Sequence, residues 1–464
     1  ALFDGRENDD TRLYHKLLLQ REGEVYYGTL SRWCEAHGIG LMGHPHQSDD
    51  IEVEKYFAVP GQDLVLRWLA PEKDGLAGMD STMGKCSADA ARLMHRRRNA
   101  NECFGACNKD DNPWQLSGGD IKWYTDWLAV RGVNLFIPHA FYYSIRGKRK
   151  DERPPDVGPH SIWWAHYEAW STYWRRLSWL MTDIDLHAKV AVLCRNRDLC
   201  PDTVHPLFER QIGFQYIPES YFPACTVEDS ALCLHGHRYT AVLGDKALFP
   251  DAAHPELSVL EPDCRCDPPQ PMLRCASFNK EGRACWLLVN EGNTPIRTRL
   301  TLPVDAPLCR YDLWNGQPCA CPAEHTAQGA CLPLELPARG SLLLFTCTAQ
   351  ETETLPLPPT YLSLPVPDFI LVEEDATRAA KTYRAVLQVA AADIEAATPL
   401  LTLRGQEMAE LTVNGQPAGV SFWSPHKFPL AGLLTPGENT LTLTLTGSPA
   451  NRYGNHPVPY GLER

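Results

Sequence analysis

The stretch that decides the fold is Arg98-Asn99-Ala100-Asn101-Glu102-Cys103-Phe104, a short run of strand type that contains one carboxylate. A helical pattern follows over Gly119–Arg131, and Gly132 can end that helix. A second strand-like run, Asn134–His139, comes directly after it. Strand, helix and strand in this order predict parallel pairing, because a helical crossover returns the chain to the same end of the sheet.

The same rhythm extends on both sides of this stretch. Two further strand-like runs, Gly38–Met42 and Asp63–Trp68, come earlier in the chain. The remaining helical patterns cover Thr11–His37, Thr82–His95 and Trp163–Thr182. The rhythm amounts to four βα units, which is half of an eight-stranded barrel. We therefore predict that residues 1–183 are the C-terminal half of a (β/α)8 barrel and that its other half precedes this sequence.

Polar and aromatic side chains follow each of the four predicted strands. In a (β/α)8 barrel the active site lies at the C-terminal ends of the strands, so residues at these positions are candidate substrate ligands. They are His44 and His46 after the first strand, Arg67 and Trp68 at the second, Asn101 and Glu102 in the third, and His139, Tyr142 and Tyr143 at the fourth. Trp114, on the loop after Glu102, is expected to cap the pocket.

The rest of the chain divides by pattern into three more units. Residues 184–262 mix apolar runs with one helical segment and predict a small Rossmann-like α/β domain, but no GxGxxG supports nucleotide binding. Residues 263–350 carry alternating runs separated by Gly and Pro and predict a β-sandwich. Residues 351–464 predict a jelly roll, in which Asn414-Gly415 is typical of a type I′ hairpin turn.

The composition argues against several classes of function. The formal net charge is −13, which disfavours nucleic-acid or anionic-membrane partners because these are bound by basic patches. No apolar run is long enough to span a membrane. The 17 cysteines contain no CxxC pair and are interpreted as reduced thiols of a cytoplasmic protein. Because the sequence starts Ala1-Leu2-Phe3 without Met, export stays open.

The motifs of the first and last units are similar to those of one enzyme family. Bacterial glycoside hydrolases of family 106, the α-L-rhamnosidase type, have segments that resemble Asn101–Ala106, Trp123–Asn134 and Ile137–Phe141. The tail resembles the galactose-binding-like jelly roll of such enzymes, with Val413-Asn414-Gly415, Pro436–Asn439 and Asn451–Gly454. The resemblance implies a carbohydrate substrate, a barrel with two catalytic glutamates and an inverting reaction.

On this resemblance Glu102 ends the seventh barrel strand and is the general base. Glycosidic hydrolysis uses two carboxyl groups, one that protonates the leaving oxygen and one that activates water or attacks the sugar. The partner acid would lie near the fourth strand, ahead of this sequence. The alternative for Glu102 is a structural salt bridge with Arg96, Arg97 or Arg98.

The other candidates carry alternatives as well. His44 and His46 can bind sugar hydroxyls, serve as ordinary structural histidines or join a carboxylate in a metal site. Arg67 and Trp68 can contact a sugar or form an ion pair inside the barrel. No cofactor and no metal ligand are predicted, although a structural calcium ion is compatible with the family. The acidic cluster Asp49, Asp50 and Glu52 is the place for one, with a solvated loop as the alternative.

The sequence thus predicts an α-L-rhamnosidase-like glycosidase that acts on terminal sugars of polysaccharides or glycosides. Without the partner acid, this chain alone is expected to be inactive. The alternative is a non-catalytic carbohydrate-binding or structural remnant of such an enzyme. The sugar, the linkage and the oligomeric state are not specified by the sequence.

Overall fold

The computed structural model of the protein describes residues 8–65, 69, 78, 80–105, 112, 114–151 and 156–463. This part of the chain is a mixed α/β protein with eight sheets. None of its helices combines the length and hydrophobicity that crossing a bilayer requires. The cysteines among these residues are all free thiols, while the cytoplasmic location stays a prediction.

A four-stranded parallel sheet forms the first module, and its strands lie side by side in chain order. They are β1 (Met42–Gly43), β2 (Val59–Asp63), β3 (Ala100–Cys103) and β4 (Leu135–Pro138). The predicted parallel pairing is therefore confirmed. Closure into a barrel and the predicted domain boundaries stay predictions.

The second strand lies earlier than the sequence pattern predicts, since it ends at Asp63 rather than starting there. The error has a physical reason: Pro60 and Gly61 are residue types that rarely occupy strand interiors. Gly61 is required here, because a Cβ at this position would lie 2.5 Å from the carbonyl oxygen of Gly43 on β1. The correction places a carboxylate at the C-terminal end of β2.

Among the residues that the structure describes, six α-helices accompany this sheet: α1 (Asp9–Glu22), α2 (Gly28–Ala36), α3 (Asp80–Met83), α4 (Cys86–Leu93), α5 (Gly118–Val130) and α6 (Tyr167–Leu180). Trp163, Trp170 and Trp174 are buried in the core around α5 and α6, as their helical spacing predicts. Trp164, from the same Trp-rich segment, is instead 40% exposed. The core formed by these helices also includes side chains of the following β-sandwich.

The single helix predicted over Thr11–His37 is interrupted by a π-helical turn at Gly23–Tyr27. The glycine opens space for Tyr56, because a Cβ on Gly23 would lie 2.9 Å from that ring. The apolar residues that predicted the helix are not buried, since Leu13 and Trp33 are each 55% exposed. The helix forms as expected, and its apolar side faces outward.

A small α/β module follows, with β6 (Val190–Cys194), α7 (Pro201–Glu209), β7 (Phe214–Pro218) and β11 (Ala241–Leu243). Its three strands are parallel in the order β11-β6-β7. An antiparallel sheet of β8 (Thr226–Glu228), β9 (Ala231–Leu234) and β10 (His237–Tyr239) packs beside them. The apolar segment 239–243 is divided between two sheets, because Tyr239 ends β10 and Ala241 begins β11.

Two sheets follow that correspond to the predicted β-sandwich. The larger has the order β17-β16-β20-β14-β13-β5 and the smaller β12-β15-β19-β18. The strands are β5 (Asp185–Leu186), β12 (Arg265–Asp267), β13 (Leu273–Lys280), β14 (Arg283–Asn290), β15 (Ile296–Leu302), β16 (Leu308–Asp312), β17 (Gln317–Cys321), β18 (Glu324–Thr326), β19 (Gly329–Leu336) and β20 (Ser341–Thr346). A buried apolar cluster fills the space between them.

The last module is all-β apart from short helices. Its sheets have the orders β21-β24-β28, β22-β23-β29-β26-β27 and β25-β30. Asn414 and Gly415 have φ of 52° and 79°, and Val413 pairs with Gln416, which confirms the predicted hairpin turn. The elements are α8 (Ala349–Thr354), β21 (Tyr361–Ser363), β22 (Ile370–Asp375), β23 (Ala380–Val389), α9 (Ala391–Ala396), β24 (Thr398–Leu403), β25 (Gly405–Gln406), β26 (Met408–Val413), β27 (Gln416–Ser421), β28 (His426–Pro429), β29 (Gly437–Thr446), α10 (Ala450–Tyr453) and β30 (Gly461–Leu462).

A buried charge cluster ties the first module to the sandwich. Glu291, which follows β14, accepts hydrogen bonds from Arg131 at the end of α5 and lies 3.1 Å from Nε of Arg274 on β13. The carboxylate is fully buried, and both guanidinium groups are almost fully buried. A buried charge is tolerated only when it is paired, so these three side chains depend on one another.

Replacing Glu291 by Ala is expected to lower the free energy of unfolding by about 3–5 kcal/mol, because two buried arginines lose their counter-charge. Chemical denaturation followed by tryptophan fluorescence measures this. Glu335→Ala is the matched control, since Glu335 and its partner Arg297 are mostly exposed and such pairs contribute about 1 kcal/mol or less. Equal losses in the two variants would contradict the role assigned to the cluster.

Asp263 is a second buried carboxyl, at a small cavity between the sandwich and the small α/β module. Burial raises the pKa of Asp263 to about 7, against the opposing charge of Lys189. Because an unfolded aspartate titrates near pH ~4, the folded state binds the extra proton between these two pH values. Stability from Asp263 is therefore complete below about pH 4 and is lost as the pH rises through about 7.

Asp263→Asn keeps a neutral side chain at every pH, so we expect its melting temperature to match that of the unmodified chain at pH 4 and exceed it at pH 8. At pH 8 the free energy of unfolding of Asp263→Asn should exceed that of the unmodified chain by at most about 4 kcal/mol, the value that corresponds to a pKa raised from 3.8 to about 7. Melting curves across this range measure it, with the exposed Asp251→Asn as control. A constant difference between Asp263→Asn and the unmodified chain at all pH values would contradict the assignment.

Candidate active site

Glu102 lies at the C-terminal end of the parallel sheet, on β3, and its side chain is 33% exposed. Successive side chains of a strand point to opposite faces, so its neighbours Asn101 and Cys103 point the other way and are buried. The strand thus directs one carboxylate outward from an otherwise buried segment. This is the position that the sequence predicts for it.

Two histidines flank Glu102, one after each edge strand of the sheet. Nε2 of His44, which follows β1, lies 3.8 Å from Oε2 of Glu102. Nε2 of His139, which follows β4, lies 3.9 Å from Oε1. Each carboxylate oxygen therefore faces one imidazole at a distance longer than a hydrogen bond.

Two of the three arginines expected as structural partners of Glu102 are engaged elsewhere. Arg97 forms an ion pair with Asp183 at 2.8 Å. Arg98 donates hydrogen bonds to the carbonyl oxygen of Asn134 and to the hydroxyl of Thr182. The salt-bridge alternative for Glu102 is therefore wrong for these two arginines, and its observed ionic neighbours are histidines.

Asp63 is a member of this cluster that the sequence analysis missed. It ends β2 and is the register partner of Glu102 on β3, so both side chains lie on the same face. One ligand atom from each of His44, Asp63 and Glu102 lies within 4.8 Å of the other two. The missed signal was Val59-Pro60-Gly61-Gln62-Asp63, whose Pro and Gly hid the strand.

The proximity of Asp63 and Glu102 limits what the site can hold. Two carboxylates at this separation repel each other unless a proton, a cation or hydrogen-bond donors lie between them. The imidazoles of His44 and His139 border the carboxylates, and their side chains are 38% and 23% exposed. The cluster is thus suited to binding hydroxyl groups or water from the solvent side.

The same cluster has too few oxygen ligands for a calcium site. Calcium takes six to eight oxygen ligands, whereas His44, Asp63 and Glu102 offer two carboxylates and one nitrogen. The acidic loop proposed from the sequence is also engaged, because Asp50 is buried and accepts hydrogen bonds from Arg197 and Asn196. Neither set of described residues therefore fits calcium.

Two of the sequence candidates point away from the cluster. Asn101 is fully buried, and its Oδ1 accepts a hydrogen bond from the hydroxyl of Tyr124 on α5. Trp114 is 1% exposed, and its ring packs at 5.0 Å from Tyr453 of the last module. Both side chains are buried between elements. The prediction that Asn101 contacts the sugar and the prediction that Trp114 caps the pocket are therefore wrong.

Three of the remaining candidates follow the ends of β1 and β4. Tyr142 is half-buried, and its backbone N–H donates to Asp156. Tyr143 is 82% exposed and lies beneath the guanidinium of Arg149. His46 is exposed on the loop after His44. Arg67 and Trp68 lie outside the described residues.

Comparison with solved structures shows the fold of the chain. A rhamnosidase from Novosphingobium sp. PP1Y matches it with a TM-score of 0.73 and 14% identity, over 95% of this chain and 52% of that one. This chain therefore spans about half the length of the rhamnosidase and shares its fold. A β-galactosidase from Bacillus circulans sp. alkalophilus matches with a TM-score of 0.40 and 11% identity, over 64% of this chain and 62% of that one. No protein-family model matches the chain, and no curated sequence matches it significantly.

Proposed function

We propose that the chain is part of an α-L-rhamnosidase-like glycoside hydrolase that acts on terminal sugars, with Glu102 as its general base. The observation that carries this proposal is the position of Glu102, which lies partly exposed at the C-terminal end of a parallel strand between two histidines. Active sites of barrel enzymes lie at this end of the sheet. The fold shared with a rhamnosidase supports the same assignment.

The surroundings of Glu102 suit a base that works on water. Its two oxygens are 3.8 Å and 3.9 Å from the nearest imidazole nitrogens, so neither is saturated by a direct hydrogen bond to them. A carboxylate with open lone pairs can accept a proton from a water molecule as that water attacks a sugar. His139 lies beside it as a candidate sugar ligand, and the half-buried Tyr142, a second candidate, follows on the loop after β4.

Asp63 does not have the position of the partner acid. The carboxyl groups of an inverting pair stand about 6.5–9.5 Å apart, so that water and sugar fit between them. Oxygens of Asp63 and Glu102 lie within 4.8 Å, on neighbouring strands. The acid is therefore expected on a strand that faces β3 across the site.

The open edges of the parallel sheet support the proposal that further strands pair with it. Among the described residues, β1 and β4 have a strand partner on one side only. The helix before β1 also leaves apolar side chains exposed, including Leu17 and Trp33. Both features are expected of a half barrel that packs against four more βα units, which would carry the acid.

Turnover of 2,4-dinitrophenyl α-L-rhamnoside tests this function without the partner acid, because dinitrophenolate leaves without being protonated. We expect the chain to release dinitrophenol, and Glu102→Gln to reduce kcat by more than about tenfold, or roughly 1.4 kcal/mol of barrier. Glu219→Gln is the matched control, since Glu219 is an exposed carboxylate paired with Lys16 on another module. The rate is measured as absorbance of the released phenolate.

Two results would contradict the proposal. Glu102→Gln with a rate within tenfold of the unmodified chain would remove Glu102 from catalysis. Rhamnose binding without turnover of any aryl glycoside would favour the alternative, a carbohydrate-binding remnant.

A further inference from the structure

We infer that Asp63 is a positioning residue that holds the nucleophilic water for Glu102. This rests on the proposed function and adds a second carboxylate to its mechanism, with a role different from that of the acid.

The two carboxylates approach each other closely enough for a single water molecule to bridge them. Asp63 and Glu102 are register partners on adjacent parallel strands, and their oxygens lie within 4.8 Å. A water that donates one hydrogen bond of ~2.7 Å to each of two acceptors, at a near-tetrahedral angle, holds them about 4.4 Å apart. A sugar ring does not fit in that gap, whereas a single water molecule does.

His44 supplies a third contact at the same point. Its ligand nitrogen lies within 4.8 Å of those of Asp63 and Glu102, and 3.8 Å from Glu102 itself. A water has two hydrogens and two lone pairs. Nδ1 of His44 donates to the carbonyl oxygen of Pro45, so the Nε2 atom that faces the cluster borders the water without being assigned as a donor to it. With both hydrogens directed at the carboxylates, the water keeps a lone pair to attack the sugar.

Within the part of the chain that the structure describes, the side chain of Asp63 has no hydrogen bond or ion pair with a basic residue that explains its position. Its backbone carbonyl accepts a hydrogen bond from Ser48, which fixes the strand end. Among the described residues, no lysine or arginine forms an ion pair with its carboxylate, unlike Asp50 on the preceding loop, which is paired with Arg197. Asp63 is thus held by its backbone and leaves its carboxylate directed into the cluster.

The reaction balances with these groups. The water oxygen forms a bond to the anomeric carbon while the bond from that carbon to the leaving oxygen breaks. One water proton moves to Glu102, and the other stays on the new hydroxyl, still hydrogen-bonded to Asp63. The leaving group departs as phenolate in the assay above, so Asp63 changes neither its charge nor its proton content.

Azide distinguishes a residue that positions water from a sugar ligand or a structural residue. It attacks the sugar as an anion, so it needs neither a base to accept a proton nor a residue to orient a water molecule. We expect Asp63→Ala to reduce kcat on the dinitrophenyl rhamnoside by on the order of 10- to 100-fold, with KM within about threefold of the unmodified chain. Sodium azide should restore turnover in both Asp63→Ala and Glu102→Ala, with glycosyl azide as product. Asp63→Asn, which is isosteric and keeps one acceptor oxygen, should lose less than Asp63→Ala.

Three results would overturn the inference while leaving the proposed function intact. One is an Asp63→Ala and an Asp63→Asn variant with unchanged kcat. Another is azide rescue of Glu102→Ala but not of Asp63→Ala, which would make Asp63 a sugar ligand or a structural residue. The third is loss of turnover on chelation with EDTA and its recovery with a divalent cation, which would place an ion rather than water in the gap. An unmodified chain that releases no dinitrophenol would overturn both proposals.

Discussion

The buried cluster of Arg131, Glu291 and Arg274 is the constraint on which the arrangement of the modules depends. Glu291 holds two guanidinium groups from different elements, and Trp123 on α5 donates its indole N–H to the Glu291 carbonyl oxygen at 2.9 Å. The Arg131 guanidinium also lies 3.9 Å from the ring centroid of Trp127 and 4.8 Å from that of Phe208 on α7. Three modules therefore meet at this cluster of three charged side chains. Because each partner would be costly if left alone, the cluster permits one relative placement of α5 and the sandwich.

The fixed position of α5 reaches the active-site strand through Tyr124. This tyrosine donates to Oδ1 of Asn101, so the side of β3 that faces the helix is occupied by a buried amide. Alternation along the strand then turns Glu102 to the open face. The same logic holds for Asp63, whose strand is fixed at Gly61 by close approach to β1. The carboxylates are presented by rigid strands, which suits a site that must hold a single water.

Much of this could be predicted from the sequence, and the failures have physical causes. The βα rhythm predicted the parallel sheet, and Glu102 lies where that rhythm places it. Asp63 was missed because the strand that carries it contains Pro60 and Gly61, residue types that argue against a strand in a sequence pattern. The glycine is required by the close packing of β1 and β2. Asn101 and Trp114 were misassigned because position along a chain does not say which neighbour covers a side chain. The apolar helix before β1 was predicted correctly as a helix, but periodicity could not say that its apolar side faces outward.

We propose that the C-terminal strand ends around Glu102 form the sugar site. The most direct measurement is a crystal structure of the chain with bound L-rhamnose. The account predicts a rhamnose ring at the C-terminal ends of β1–β4, with its hydroxyls within hydrogen-bonding distance of His139 or Glu102 and a water between Glu102 and Asp63. Rhamnose bound only at the C-terminal all-β module, with the strand ends empty, would contradict it.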